Sequence, residues 1–164
     1  MKQNIAIAGA TGFIGRWFID RYKNEFNITA LSRKKVANNN QSAVKWKQVD
    51  LYSISSTTEA LANIDVAIYL VHSMMPSTRL NQGSFEDTDI LLADNFSRAS
   101  EQCNLKQIIY LGGILPKDEY TISKHLQSRY EVEKTLGSRT TPLTSIRAGI
   151  IIGPNGSSFR IVQK

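Results

Sequence analysis

The sequence is poor in cysteine and proline and has no long apolar run. A single cysteine, Cys103, excludes an internal disulfide framework and a multi-cysteine metal cluster, so we expect no metal site. No apolar stretch approaches the roughly 18 residues that a membrane-spanning helix needs. The first residues show no signal-peptide pattern. These absences predict a reduced, cytoplasmic protein with no membrane partner.

Length and charge give weaker indications. The 164 residues suit one domain, and 41% hydrophobic with 21% charged residues is an ordinary globular balance. The net charge of +6 is compatible with nucleic-acid binding. The basic residues are scattered, however, apart from the cluster Arg33-Lys34-Lys35. We therefore predict no nucleic-acid partner.

Apolar strand patterns alternate with helical patterns along the whole chain. Strands are predicted at residues 5–8, 28–32, 43–49, 66–71, 107–111 and 143–152. Helices are predicted at 13–24, from a Ser56/Glu59 capping box to about 63, from a Ser84/Asp87 cap to about 103, and at 122–136 before Gly137. Repeated strand–helix–strand order predicts an α/β fold, a three-layer doubly wound parallel sheet.

A glycine-rich segment joins the first predicted strand to the first helix, Gly9-Ala10-Thr11-Gly12-Phe13-Ile14-Gly15. Glycine allows the tight turn at the first position, backbone approach to a pyrophosphate at the second, and close helix packing at the third. Free N–H groups and the helix dipole then favour phosphate. The segment predicts a Rossmann dinucleotide site; the alternative is a tight turn without a ligand. The predicted binding residues are Gly9, Thr11, Gly12, Phe13, Ile14 and Gly15.

The ends of the next two strands predict how the cofactor is selected. An acidic residue after the second strand would bind the ribose of NAD, but this strand ends in Ser32-Arg33 with no carboxylate. Arginine matches phosphate geometry, which favours NADP over NAD; the alternative is a solvated basic loop. Asp50-Leu51, after the third strand, is expected to contact adenine or to form a simple turn.

Several segments resemble the short-chain dehydrogenase/reductases. The glycine loop is similar to that of the extended and atypical members. Further matches are Tyr69-Leu70-Val71-His72-Ser73-Met74, Ile108-Ile109-Tyr110-Leu111-Gly112-Gly113 and Ile146-Arg147-Ala148-Gly149-Ile150-Ile151-Ile152-Gly153. Together they resemble the NmrA-like branch, often called nucleoside-diphosphate-sugar epimerase. The resemblance implies a Rossmann fold, an NAD(P) cofactor and a substrate-binding part beyond these 164 residues. Leu70, Val71 and Gly113 are expected to line the nicotinamide side. His72 lies just past the end of the fourth strand, and it is expected to contact the cofactor or simply to pack in the loop.

The resemblance also locates the catalytic positions. Ordinary members use a serine and a Tyr-x-x-x-Lys pair, in which tyrosine is the acid/base. Tyr120…Lys124 and Tyr130…Lys134 match the pair literally, but alignment on Glu133 places His125 and Arg129 at the tyrosine and lysine positions. The count from the fifth strand places Gly113 at the serine position. Histidine can transfer protons near neutral pH, and Arg129 can hold a ribose or phosphate.

Two functions remain open on this reading. The first is an oxidoreductase or epimerase-like enzyme that uses hydride transfer on a small-molecule substrate. The second is a non-catalytic dinucleotide or redox sensor that binds a partner protein. A homodimer built from two long helices is common in this superfamily, although the sequence does not decide it. Arg147 is expected to contact a ligand or to form an ion pair, and Trp17 and Trp46 to pack in the core or on helices.

Overall fold

The computed structural model describes residues 2–36, 43–72, 85–116 and 122–153. The strands are β1 (Asn4–Ala8), β2 (Asn27–Ser32), β3 (Val44–Gln48), β4 (Val66–Tyr69), β5 (Gln107–Gly113) and β6 (Leu143–Ala148). The helices are α1 (Phe13–Tyr22), α2 (Ile54–Leu61), α3 (Phe85–Gln102) and α4 (Lys124–Leu136). None of these helices is both long and apolar enough to cross a bilayer.

The described strands form one parallel sheet in the order β3-β2-β1-β4-β5-β6. The chain winds outward from β1 to β3, returns to β4 on the other side of β1, and winds outward again. At the carboxyl end of β1, Ala8 lies opposite Leu31 of β2 and Tyr69 of β4. Ligands of such sheets bind where the strand order reverses, beyond the carboxyl ends. The predicted α/β doubly wound fold is confirmed.

Each face of the sheet carries its own apolar core, because alternate side chains of a strand point to opposite faces. One cluster includes Tyr69 of β4 and Phe96 of α3, whose ring centres lie 4.9 Å apart. The other includes Ile7 of β1 and Ile19 of α1, with Trp46 partly buried against it. Helices therefore cover both faces, which gives the three predicted layers.

Of the two alternatives predicted for Trp17, packing in the core is wrong. The indole is 59% exposed, and its ring meets the edge of Tyr22 at 6.3 Å. The buried residues of α1 are Gly15 and Ile19. Trp17 lies midway between them in sequence, so the helical period turns it to the opposite face.

The start of α2 was also predicted wrongly. The helix begins at Ile54 with Ser53 as its N-cap, and the Ser53 side chain accepts the N–H of Ser56 at 3.3 Å. Ser56 is therefore inside the first turn, and its hydroxyl accepts the N–H of Asp50 at 3.2 Å. The Ser-x-x-Glu pattern places the cap one turn too late, because more than one serine in this segment can serve as a cap.

Other boundaries shift by small amounts. β4 ends at Tyr69 rather than at 71, and β5 continues to Gly113 rather than ending at 111. α4 is capped by Ser123 and stops at Gly137, as predicted for its end. The proposed cap Ser84 lies outside the described residues. The longer β5 brings Gly113 to the sheet edge, next to Ala148 of β6.

Candidate functional site

A cleft of about 600 Å³ opens at the carboxyl ends of the central strands, between the starts of α1 and α4. The predicted site residues that line it are Gly9, Gly12, Phe13, Ile14, Gly15, Leu70, His72, Gly113, His125 and Arg129. The structure adds lining residues that the sequence analysis did not identify, namely Leu111, Ile114, Leu126, Ala148, Gly149, Ile150 and Ile151. Apart from Leu126 on α4, they lie at or just after the carboxyl ends of β5 and β6, and that position was the available signal. A depression of about 450 Å³ at the opposite sheet edge contains none of the motif residues.

Gly9 makes the turn from β1 into the cleft. Its φ of +87° lies in the left-handed region that only glycine adopts readily. A Cβ at this position would lie 3.0 Å from the carbonyl oxygen of Leu70, and the Gly9 carbonyl accepts the N–H of Gly12 at 3.0 Å. The loop therefore folds back against the end of β4, as its glycine predicted.

Gly15 and Gly12 serve different purposes. A Cβ on Gly15 would lie 2.6 Å from the Gly9 carbonyl oxygen and 2.7 Å from the Cα of Ala10, so α1 packs directly on the loop. A Cβ on Gly12 would meet only the Gly9 carbonyl oxygen, at 3.2 Å, and otherwise project into open space. The missing side chain at Gly12 therefore leaves the start of α1 accessible to a ligand, and helix packing does not require it.

The start of α1 offers hydrogen-bond donors to the cleft. The first N–H groups of a helix have no acceptor within it. The N-cap is Gly12, which has no side chain to occupy them, and the first turn carries no acidic residue. Phe13, Ile14 and Gly15 line the cleft at this point. Free donors and the positive end of the helix dipole suit a pyrophosphate.

The predicted nucleotide-side residues lie outside this cleft. Ser32 ends β2, and its hydroxyl accepts the N–H of Lys34 at 3.2 Å, while Arg33 is exposed. The Asp50 carboxylate accepts the N–H of Tyr52 at 3.2 Å, which is the turn alternative.

Three further predicted residues do not line the cleft. The Leu51 side chain is buried in the core and Val71 packs against the same cluster, so neither side chain faces the cleft. Thr11 is exposed on the loop. Cofactor contacts by these residues and by Ser32, Arg33 and Asp50 stay predictions.

A histidine–arginine cluster occupies the other end of the cleft. The Arg129 Nε donates a hydrogen bond to the His125 Nε2 at 3.1 Å, one turn apart on α4. The His72 ring lies 6.2 Å from the His125 ring, centre to centre. The predicted line of His125 and Arg129 therefore does face the cleft, and His72 joins it from the end of β4.

The surroundings lower the pKa of both histidines. For His72 the larger cause is the removal of water by protein atoms, followed by the Arg129 charge; a hydrogen bond with the Leu70 backbone works in the opposite direction. For His125 the same two causes act in the same order. Both rings consequently favour the neutral form.

Gly113 lies directly beneath this cluster. A Cβ here would lie 2.6 Å from the Leu126 Cδ2 and 3.9 Å from the Arg129 Cδ. Gly113, which the resemblance places at the serine position, thus borders Arg129. The Leu126 methyl group fills the space that a serine side chain would take.

Of the two literal Tyr-x-x-x-Lys matches, the structure describes Tyr130…Lys134 in full, and this pair is not brought to the cleft. Tyr120 lies outside the described residues. The Lys134 Nζ lies 4.2 Å from the centre of the Tyr130 ring, and neither residue lines the cleft. Arg147 forms a two-point ion pair with Glu133, at 2.8 and 3.2 Å, which decides its two alternatives in favour of the ion pair.

Residues 5–155 match the model of the NAD dependent epimerase/dehydratase family. The chain belongs to this family. The resemblance to atypical short-chain dehydrogenase/reductases is thereby confirmed. Membership of this family supports NAD(P) binding.

Several relatives extend the comparison. Auxiliary protein GraX of Staphylococcus aureus is 28% identical over 148 residues, 87% of this chain and 43% of that protein. The UDP-N-acetylglucosamine 4-epimerase from Bacillus cereus is 21% identical, with a TM-score of 0.68 over 89% of this chain and 53% of its own. Bordetella bronchiseptica WbmG in complex with NAD is 12% identical, with a TM-score of 0.72 over 90% and 53%. The chain thus spans about half the length of these relatives.

Gly12→Ala and Gly15→Ala should separate binding from folding. Gly12→Ala is expected to weaken NAD(P)H binding by tenfold or more, about 1.4 kcal/mol, because the new methyl group projects where the pyrophosphate approaches. Gly15→Ala is expected to lower the free energy of unfolding by about 1–3 kcal/mol, because it overlaps the loop backbone. Fluorescence titration and urea unfolding measure the two effects. Equal loss of stability in both variants would contradict the assignment.

Arg129→Gln should raise the pKa of both histidines, because it removes a positive charge beside them. The sequence has two histidines, so two Hε1 resonances followed by NMR against pH report on this cluster alone. Unfolded histidine titrates near 6.5, above the lowered folded values, so the unfolded chain takes up protons first on acidification. The free energy of unfolding should therefore fall as the pH drops below about 6.5, and less steeply in the variant. Arg98→Gln, on an exposed helix face, is the control; identical titrations in all three proteins would refute the coupling.

Proposed function

We propose that this chain is the NAD(P)-binding part of an oxidoreductase or nucleotide-sugar epimerase-like enzyme that works by hydride transfer. The observation that carries the proposal is one cleft that joins the glycine loop and the start of α1 to the His125–Arg129 pair. The proposed dinucleotide-binding part and the proposed proton-transferring part of the cleft therefore lie together, where the strand order of the sheet reverses.

The residues present fit a dinucleotide. Gly12 leaves open space at the helix start, and the N–H groups of Phe13, Ile14 and Gly15 would hold the pyrophosphate. Leu70, His72 and Gly113 would border the nicotinamide. When bound, the nicotinamide supplies reversible hydride transfer.

His125 takes the acid/base role in this proposal. Its Nε2 accepts the Arg129 N–H, so that lone pair is engaged and the ring is neutral. Proton abstraction from a substrate hydroxyl by Nε2 therefore requires Arg129 to exchange this bond for one to substrate or cofactor. Gly113 supplies no hydroxyl, so polarisation of a substrate carbonyl falls to His125 and Arg129.

The proposed enzyme acts on a small molecule, in the cytoplasm, and a homodimer through long helices is compatible with it. Since the chain spans about half the length of its relatives, the substrate contacts of the whole protein are part of the proposal.

Arg33→Ala should reduce the preference for NADP that we propose. The Arg33 side chain is exposed beside the end of β2, where the adenine ribose of a dinucleotide is expected. Loss of a charged hydrogen bond to the 2′-phosphate should weaken NADPH binding about tenfold and leave NADH binding within twofold. Calorimetric titration of both cofactors measures this, with Lys45→Ala as an exposed control. Tighter binding of NADH by the unsubstituted protein would refute the preference.

Turnover tests the proposed reaction class. The full-length protein should oxidise NAD(P)H with at least one member of a carbonyl panel, and His125→Ala should lower kcat by about 10²–10⁴-fold with the cofactor still bound. Unchanged turnover in His125→Ala would remove this residue from the mechanism.

A non-catalytic dinucleotide sensor is the second candidate. It is favoured by Gly113, which lacks the family hydroxyl, and by the engaged lone pair of His125. The name of the S. aureus relative, Auxiliary protein GraX, also describes that protein by an accessory role. Cofactor binding without turnover on any carbonyl, in the full-length protein, would decide for this candidate.

A further inference from the structure

Arg129 brings a positive charge into the cleft, and no described residue neutralises that charge with an ion pair. Its Nε is bonded to His125, and within the described ranges its terminal nitrogens have no hydrogen-bond or ion-pair partner. The lining residues that the structure describes include no aspartate or glutamate. A partly buried guanidinium without a carboxylate is a donor fork that faces the solvent of the cleft.

The carboxylate of Glu133 and the phenol of Tyr110, both near Arg129, are engaged elsewhere. Glu133, one turn further along α4, is held by the two-point pair with Arg147 of β6. The Tyr110 hydroxyl, from β5, donates to the main-chain carbonyl of Arg129 at 3.1 Å, and burial raises its pKa to about 12. Tyr110 therefore stays neutral and does not balance the charge.

We propose that Arg129, His125 and His72 form a binding site for an oxyanion of the substrate, a carboxylate or a phosphate. The guanidinium fork matches either group with two parallel hydrogen bonds. Two imidazoles on the same side of the cleft add N–H donors. The inference rests on the proposed function for the placement of the substrate beside the cofactor, and it narrows the substrate to an anionic class.

The histidines are suited to respond to such a ligand. Without an anion, Arg129 and the loss of water favour their neutral forms. An anion in contact with the rings would reverse the balance, so each binding event should draw a proton onto the cluster.

The dinucleotide itself is the competing source of phosphate. Its pyrophosphate has donors of its own at the start of α1, in the part of the cleft that Gly12 keeps open. We therefore propose that the oxyanion at Arg129 belongs to the substrate. Saturation with NADH fills the dinucleotide site first, so any further anion binding is separate from the cofactor.

The experiment follows the two Hε1 resonances by NMR while inorganic phosphate or acetate is added to the full-length protein saturated with NADH. We expect a saturable shift of both resonances and a rise in both pKa values. A tenfold tighter binding to the protonated form corresponds to a rise of one pKa unit. Arg129→Gln should weaken phosphate binding at least tenfold, and Arg98→Gln should not.

Arg129→Lys keeps the positive charge but loses the guanidinium fork. Its phosphate affinity should fall between those of Arg129→Gln and Arg98→Gln. This second variant keeps the test valid if Arg129→Gln fails to fold. A linear, unsaturable response, an unchanged response in Arg129→Gln, or displacement of phosphate by NADH would each overturn the proposal. NADH affinity is measured separately by fluorescence. Phosphate binding at the cluster in a protein that does not bind NADH would refute the proposed function and support the anion site.

Discussion

The contact between Gly15 and the loop before it is the constraint on which the site depends. With no Cβ, the first turn of α1 rests on the Gly9 carbonyl and on Ala10, at separations no side chain would allow. This contact fixes where the helix begins relative to β1. The free N–H groups then point over the carboxyl ends of the strands, at the one place where the strand order reverses.

The remainder of the site follows from the sheet. Parallel pairing places β4 beside β1 and β5 beside β4, which brings His72 and Gly113 to the carboxyl edge of the sheet. Helix α4 packs over β5 with its first turns at that edge, so His125 and Arg129 reach the cleft from above. Residues distant in sequence are thus combined by the register of the strands, while His125 and Arg129 lie one turn apart on a single helix.

Much of the fold and part of the site could be predicted from the sequence. The alternation of strands and helices was sufficient to predict the three layers, and the glycine spacing was sufficient to predict the loop that lines the cleft. Both patterns reflect local backbone geometry. The helical repeat was sufficient to place His125 and Arg129 on one line. Details set by tertiary contacts were not accessible. Leu126 over Gly113 and Glu133 against Arg147 depend on how α4 sits on β5 and β6, which no local pattern encodes.

The Leu126 methyl group above Gly113 links these two positions through shared volume. A hydroxyl-bearing side chain at 113 and a large side chain at 126 compete for the same space, so the effect of changing one depends on the other. The two sites are therefore epistatic. A lineage that moved between the serine-containing arrangement and this one would encounter less steric conflict if position 126 became smaller before position 113 gained its side chain.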